Sequence, residues 1–452
     1  MKISEISIKN LKKVTRLDLK IPENNKVICF VGENGSNKSS VLTYLYQMMR
    51  RTTQEKSPSD DNDFFYQNTY DISQVEQEQY YFIKVGLTHN GSKYFTSEAS
   101  ISDFSSLTEE TKKLLLNEFP FQYDEKGKRQ FLKNWWGFRD PVSSADIVKE
   151  SVLLFRPSNR YEVQSGEKSL DENKSKVEPK INVFGRRKFP FRVESGIEEA
   201  SSYFLDVLLD YFIAINHGAP SFSLYEEFLS VLTSIDSDFS QLTISQFPNK
   251  AISAKNLPRL DALSAGQSDW LVTAINILVQ IADLSSQSGA VVKNVYEVPG
   301  VVFIDEIDKN YHPKLQEEIV PWFTSKFPNL QFVISTHSPY LIRSLGEDCV
   351  VVKLPQGDVI SEDFTYWDVN EVSSKIFGRD IGFSRKVELE IKEFKNLLRG
   401  EAYAQAIDKY MVLSGKSESL KQELNRISYT LGSNEFVEAI NNAVNEAINA
   451  EN

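Results

Sequence analysis

The sequence predicts an α/β fold in which a mixed, mainly parallel sheet is flanked by helices, with a helical insertion and a C-terminal helical tail. Three observations predict it. Gly300–Ile304, Gln331–Ile334 and Cys349–Val352 are apolar without alternation, as strands covered on both faces are. Lys314 to Phe327 lies between the first two and reads as their crossover helix, kinked at Pro321. A further apolar strand, Val27–Val31, runs straight into a glycine-containing turn and then a helical run, Ser40 to Arg50.

The remaining elements follow in order. The first thirty residues read as two or three strands. Residues 80–100 alternate around His89-Asn90-Gly91 and predict a β-hairpin. Thr52 to Asp63 and Gln164 to Lys180 are polar and rich in breakers, and read as exposed loops. Residues 101–258 are mixed, with a helical stretch Leu205 to Ile215, and read as an insertion that carries a flexible loop at 164–180. The core then comprises 1–100 and 259–371. From 372 to 452 the chain reads as a helical tail for partner or oligomer contacts. Val387, Leu389, Ile391, Phe394 and Leu398 mark one apolar face before Gly400. Leu420, Leu424, Ile427 and Leu431 mark another before Gly432, and Phe436, Ile440, Val444 and Ile448 a third.

Bulk properties bound the function. At 452 residues the chain has room for two or three domains. No apolar run is long enough to cross a membrane, and the acidic, alternating N-terminus is no secretory signal. Cys29 and Cys349 lie in apolar runs and read as buried thiols of a reducing, cytoplasmic compartment. The net charge of −12 confines any nucleic-acid contact to a local basic patch.

Gly32–Ser39 reads Gly-Glu-Asn-Gly-Ser-Asn-Lys-Ser. This is the phosphate-binding pattern G-x-x-x-x-G-K-[ST] with Asn37 in place of the second glycine. Asn tolerates positive φ better than most residues, and its N–H stays available to phosphate. Lys38 is the charge for the β- and γ-phosphates, and Ser39 the hydroxyl for Mg²⁺. The nucleotide contacts therefore fall on Gly32, Glu33, Asn34, Gly35, Ser36, Asn37, Lys38, Ser39 and Ser40, and the expected ligands are ATP and Mg²⁺.

Strand Val301–Ile304 delivers Asp305 and Glu306 to its C-terminal end. Asp305 would share the Mg²⁺ with Ser39, and Glu306 would polarise the attacking water. Leu263-Ser264-Ala265-Gly266-Gln267 precedes a helix. Alone it could be a plain cap; between a phosphate loop and an acidic strand end, Ser264, Gly266 and Gln267 read as an anion site for the γ-phosphate held by a second module. His337 follows the next strand and reads as a γ-phosphate sensor. His312 reads as a turn residue before Pro313. Asp308 sits where a dimer-crossing loop would lie. Arg160 lies in a polar loop after a strand and reads equally as a contact to phosphate or a partner, or as a surface ion pair. Lys126 to Arg139, including Trp135 and Trp136, interleaves basic and aromatic residues. It reads as a solvated helix with inward aromatics, or as a single-strand nucleic-acid surface. Arg186-Arg187-Lys188 carries the same ambiguity.

Together these segments resemble the ABC-type AAA-family ATPases related to the SMC, RecF and OLD proteins, over residues 1–100 and 260–355. Phe303-Ile304-Asp305-Glu306, Tyr311-His312-Pro313 and Ser335-Thr336-His337-Ser338-Pro339 are similar to the bacterial branch that serves phage defence. Pro157-Ser158-Asn159-Arg160-Tyr161-Glu162 and the helical tail look most like the ATPase subunit of Septu systems, PtuA, with the ATPase of PARIS systems second. The resemblance implies head-to-tail ATPase dimers, each site completed by the partner's signature loop. It also implies a separate nuclease subunit, of HNH or Toprim type. The tail shows no carboxylate-tipped strand, so no nuclease activity is expected in this chain. Two other readings remain open: a RecF-like repair ATPase clamping DNA, and a non-hydrolysing scaffold in which ATP is structural. A transporter ATPase fits the long insertion and the tail poorly.

Overall fold

The computed structural model describes residues 1–51, 80–101, 107–119, 135–139, 150–158, 197–217, 224–244, 252–254, 263–287, 295–378 and 385–451. These form two compact units, Met1–Val372 and Ser373–Asn452, each with its own apolar core.

The first unit opens with β1 (Lys2–Leu11), β2 (Val14–Lys20), β3 (Val27–Val31) and helix α1 (Lys38–Arg51). β4 (Tyr80–His89) and β5 (Ser92–Ile101) are the predicted hairpin, turning at Asn90 and Gly91 with φ of 50° and 75°. Then come α2 (Glu109–Glu118), β6 (Trp135–Arg139), β7 (Val152–Arg156), α3 (Ile197–His217), α4 (Leu224–Ile235) and a small ribbon, β8 (Thr243–Ile244) with β9 (Ile252–Ser253). Helix α5 (Ala265–Gln287) precedes β10 (Gly300–Ile304), α6 (Pro313–Lys326), β11 (Leu330–Thr336), α7 (Pro339–Ile342), β12 (Cys349–Lys353), β13 (Asp358–Ile360) and α8 (Val369–Phe377).

Two sheets result. One runs β2-β1-β4-β5-β6, antiparallel throughout. The other runs β13-β12-β3-β11-β10-β7, parallel except for β13. The predicted parallel sheet is thus present, joined by a second, antiparallel one. Val41, Leu42, Leu45, Tyr46 and Met49 of α1 share a core with Ile6 and Ile8 of β1 and with Phe30, Phe155 and Phe303 of the parallel sheet. In β1 the buried residues Ile3 and Ile6 are three apart. A register shift between Ile3 and Glu5 inserts the extra residue that keeps both on the core face.

Several expectations need correction. The stretch 101–258 is not wholly an insertion. β7 pairs in register with β10, Val152 opposite Gly300 and Arg156 opposite Ile304, and β6 pairs with β5. Trp135–Arg139 is therefore a strand, not part of a solvated helix. Pro321 lies inside α6 without ending it. His312 is the N-cap of α6, as expected, with Pro313 next. The polar stretches at 52–63 and 164–180, Lys126–Lys133, Arg160 and Arg186–Lys188 lie outside the described residues.

Among the described residues the second unit holds the end of α8 and four further helices: α9 (Arg385–Arg399), α10 (Tyr403–Ser414), α11 (Glu418–Leu431) and α12 (Asn434–Glu451). Ile391, Phe394, Leu398, Tyr410, Leu424, Phe436 and Ile440 form its core. Gly432 caps α11, its N–H donating to the Ser428 carbonyl at 2.8 Å. Leu389, predicted on the apolar face, is 61% exposed; it sits two residues off the i, i+4, i+7 stripe through Val387, Ile391 and Phe394. Helix α10, which the sequence reading did not single out although Tyr403, Ala406, Ile407, Tyr410 and Met411 fall at helical spacing, supplies Tyr410 to the core.

Candidate nucleoside triphosphate site

The parallel register gathers the predicted residues along one edge. Ile304 is level with Ile334, which is level with Cys29, and Thr336 with Val31. The C-terminal ends of β3, β11, β10 and β7 therefore face the same way. β3 lies between β11 and β12, so its end is a crevice of the kind in which open α/β sheets bind ligands.

The phosphate loop follows β3. Gly32 has φ of 149°, and a Cβ there would come within 2.3 Å of the Leu354 carbonyl oxygen, so no other residue fits the turn. Asn37 has φ of 71°, the left-handed conformation that its presence in a glycine position predicts. Its carbonyl accepts the Val41 N–H at 3.0 Å, the first bond of α1. The Lys38 ammonium turns back across the loop to the Gly32 and Glu33 carbonyls, at 3.0 and 3.1 Å, and to Ser36 Oγ at 3.4 Å. Ser39 is half-buried at the start of α1. Ser40 is buried and its hydroxyl accepts from Lys12 Nζ at 3.0 Å. Lys13 Nζ lies 3.5 Å from where a Cβ on Gly35 would sit. These two lysines were not anticipated; their signal is their adjacency at the tip between two alternating strands.

Asp305 is 2% exposed. Its Oδ1 accepts the Ser335 hydroxyl at 2.5 Å, and its N–H donates to the Arg156 carbonyl at 2.9 Å. Glu306 has φ of 49°, a strained conformation for this residue type, and its N–H donates to Ser335 Oγ at 2.8 Å. The Ile307 N–H donates to the Ser335 carbonyl at 3.0 Å. Ser335, a positioning role not foreseen, therefore fixes the turn that carries both carboxylates.

These groups lie within electrostatic reach of one another. Burial lowers the Lys38 pKa, partly offset by Asp305, Glu306 and Asp308. Burial also lowers that of His337, with Lys38 adding to the effect and Asp308, Glu306 and Asp305 opposing it. His337 is therefore neutral near pH 7, with one ring nitrogen able to donate and the other to accept. Asp308 is half-buried, and its Oδ1 has no protein partner among the described residues.

The signature segment is built differently. Ser264 Oγ donates to Gln267 Oε1 at 2.9 Å, the Ser264 N–H reaches the same oxygen at 3.2 Å, and the Gln267 N–H donates to Ser264 Oγ at 3.3 Å. This is a reciprocal capping box on α5. Gly266 lies against the loop after β10: a Cβ would meet the Asn310 carbonyl oxygen at 2.8 Å. Neither Ser264 nor Gln267 bonds to the phosphate loop of its own chain among the described residues.

The donor set fits Mg²⁺. Among the described residues no group of three or more His, Cys, Asp or Glu side chains gathers to hold a metal. Mg²⁺ commonly uses one or two carboxylates, substrate phosphates and water, a share that Asp305 and the Ser39 hydroxyl are of the right chemistry to supply. No described helix is long and apolar enough to cross a membrane, and both cysteines are free and buried.

Residues 27–343, more than half of the chain, match the family described as "AAA domain, putative AbiEii toxin, Type IV TA system". The "Retron Vc95 probable ATPase" of Vibrio cholerae is 23% identical over 414 residues, covering 78% of this chain and 73% of its own. The "Retron Ec83 probable ATPase" of Escherichia coli is 29% identical over 37% of this chain and 31% of its own. The "Septu protein PtuA" of Bacillus mycoides is 27% identical over 38% and 29%. The alignments to these last two thus span under a third of each relative's length. Among solved structures, the SMC head domain from Thermotoga maritima aligns over 80% of this chain and all of its own, at 12% identity. Its TM-score of 0.38 is too low to carry the fold, which rests on the strand order.

Proposed function

We propose that this chain, which belongs to that AAA-domain family, binds ATP with Mg²⁺ and hydrolyses it slowly in head-to-tail dimers. In this reading the nucleotide state controls a separate effector nuclease of an antiphage system. The observation that carries the hydrolytic part is the convergence of Lys38, Asp305, Glu306, Asp308 and His337 at one sheet edge, in one electrostatic field.

Each residue has a task in this reading. Loop N–H groups at the start of α1 cradle the phosphates. Lys38 exchanges its loop carbonyls for phosphate oxygens. Asp305 and Ser39 would hold Mg²⁺, which when bound neutralises phosphate charge. Glu306 accepts a proton from the attacking water. Neutral His337 donates to a γ-phosphate oxygen. The exposed Ser264 end of α5 serves the nucleotide of a second copy. The defence role and the nuclease partner rest on the relatives and on the resemblance.

Two measurements test the proposal. Turnover of the unmodified chain is compared with Glu306→Gln; equal rates would mean no catalysis at this site. Co-purification with the products of neighbouring genes, with and without ATP, tests the partner. Failure to dimerise or to retain any such product would remove the effector-control reading.

A further inference from the structure

Beside the catalytic turn lies a buried ion pair that the proposed chemistry does not use. Arg156, the last residue of β7, and Asp269, in the second turn of α5, are each 2% exposed. Arg156 Nε and Nη2 both donate to Asp269 Oδ1, at 2.9 and 2.5 Å. Tyr311 OH donates to Oδ2 at 3.3 Å. The Arg156 carbonyl accepts the Asp305 N–H. One residue thus holds the carboxylate turn by its main chain and the signature helix by its side chain.

The same two elements touch a second time. Gly266, in the first turn of α5, abuts Asn310 and the ring of Tyr311. Between Asp305 and Tyr311 the chain passes through two left-handed residues, Glu306 and Asn310, with φ of 49° and 68°. A displacement of the carboxylate turn is therefore delivered to the start of α5 along two short connections.

A pair retained only for stability is expected to use its full donor set. This one does not. Both guanidinium donors that bond share one oxygen, and Arg156 Nη1 is buried without a protein partner among the described residues. So is Trp270 Nε1, on the neighbouring residue of α5. Buried orphan donors are costly. Trp270 packs on Trp322 of α6, so the orphan donor of Arg156 is the one at this junction, and it marks an arrangement that a modest rotation of α5 against β7 can exchange for another.

We propose that Arg156, Asp269 and Tyr311 are positioning residues that couple the carboxylate turn of one ATP site to the signature end of α5. Occupancy of a chain's own site then sets the geometry with which Ser264 meets the nucleotide of a second copy. The inference rests on the dimeric ATPase reading above and adds the route by which one site informs the other.

The test uses the full chain and three variants. Asp269→Asn leaves a buried guanidinium without its carboxylate and can fail to fold. Arg156→Met with Asp269→Leu replaces the pair by apolar side chains of similar size, a change that buried ion pairs commonly tolerate. Tyr311→Phe removes one hydroxyl and keeps the ring against Gly266. The expected result for the double variant is kcat lowered at least tenfold with KM within threefold, and a smaller drop of the same kind for Tyr311→Phe. Hydrogen exchange of amides 265–272 should slow on adding a non-hydrolysable ATP analogue to the unmodified chain, and respond less in the double variant. Unmodified kcat in a folded double variant, or equal exchange responses, overturns the proposal. If the unmodified chain binds the analogue but shows no turnover, the hydrolytic reading falls, and the exchange arm alone decides the coupling.

Discussion

The phosphate-loop half of the site and the signature half are built on opposite plans. Lys38, Asp305, Glu306 and His337 come from three neighbouring strand ends, and the two carboxylates are held by bonds between elements: Ser335 to Asp305, Ser335 to Glu306, Arg156 to Asp305. Ser264 and Gln267 are held by each other, on a single helix turn. The first half is organised toward a ligand within the chain. The second closes its own helix end and presents an exposed serine. In the proposed dimer this exposed serine is the group that would meet the phosphate of a second copy.

The comparison can be broken most severely at Glu306. Glu306→Gln keeps the shape of the turn and removes the base. Turnover should fall by about 10²–10⁴-fold, while the affinity for ATP, read by calorimetry, is retained. A loss of affinity equal to the loss of rate would show that Glu306 shapes the turn instead of activating water. Ser264→Asp acts on the other half. Asp is as good a helix cap as Ser, so thermal stability should hold, but a carboxylate facing phosphate should cut turnover by at least ~10-fold. An unchanged rate would reduce the signature segment to its capping role.

How far these halves were legible differs in the same way. The phosphate loop, the Asp305-Glu306 strand end and the positive φ of Asn37 follow from local sequence, because each depends on residues within one turn or one strand. The capping box at Ser264 is likewise a spacing of three. The ion pair of Arg156 with Asp269 joins residues 113 apart, and neither lies in a recognisable pattern. β7 was assigned to the insertion because four apolar residues between polar stretches fit many environments; only its pairing with β10 makes it core. β6 was misread because a short run of aromatic residues with a basic neighbour suits a strand as readily as a helix. In the tail, Leu389 shows that an apolar residue near a stripe need not lie on it.

Smaller effects sharpen the picture of the loop. Asn37→Ala puts at φ of 71° a residue that tolerates the left-handed region less well than Asn, a cost below the about 1–2 kcal/mol of an ordinary residue there, read as weaker ATP binding. Asn37→Gly should bind at least as well as the native chain. Identical behaviour of the two variants would show that φ at this position is not what selects Asn.

The smallest effect concerns acid. Burial and Lys38 hold His337 below its ordinary value, about 6.5. The unfolded chain therefore binds this proton first as pH falls. The corresponding stability is whole above about 6.5 and declines below it, toward the lower folded value. His337→Gln should remove that share of the acid dependence of thermal unfolding. An acid limb unchanged in the variant would place the sensitivity elsewhere.

The central claim, that one chain's signature end completes another's phosphate site, is tested by mixing two inactive variants. Lys38→Ala lacks the phosphate charge, and Ser264→Asp lacks the signature. Neither should turn over ATP alone. In an equal mixture half of the dimers are mixed, and each of these holds one whole site. Turnover should then return to at most a quarter of the native rate under random pairing, and below it if the coupling through Arg156 holds, because the intact signature belongs to the subunit whose own site is empty. A mixture as inactive as its components, with dimers shown to exchange, would contradict the composite site.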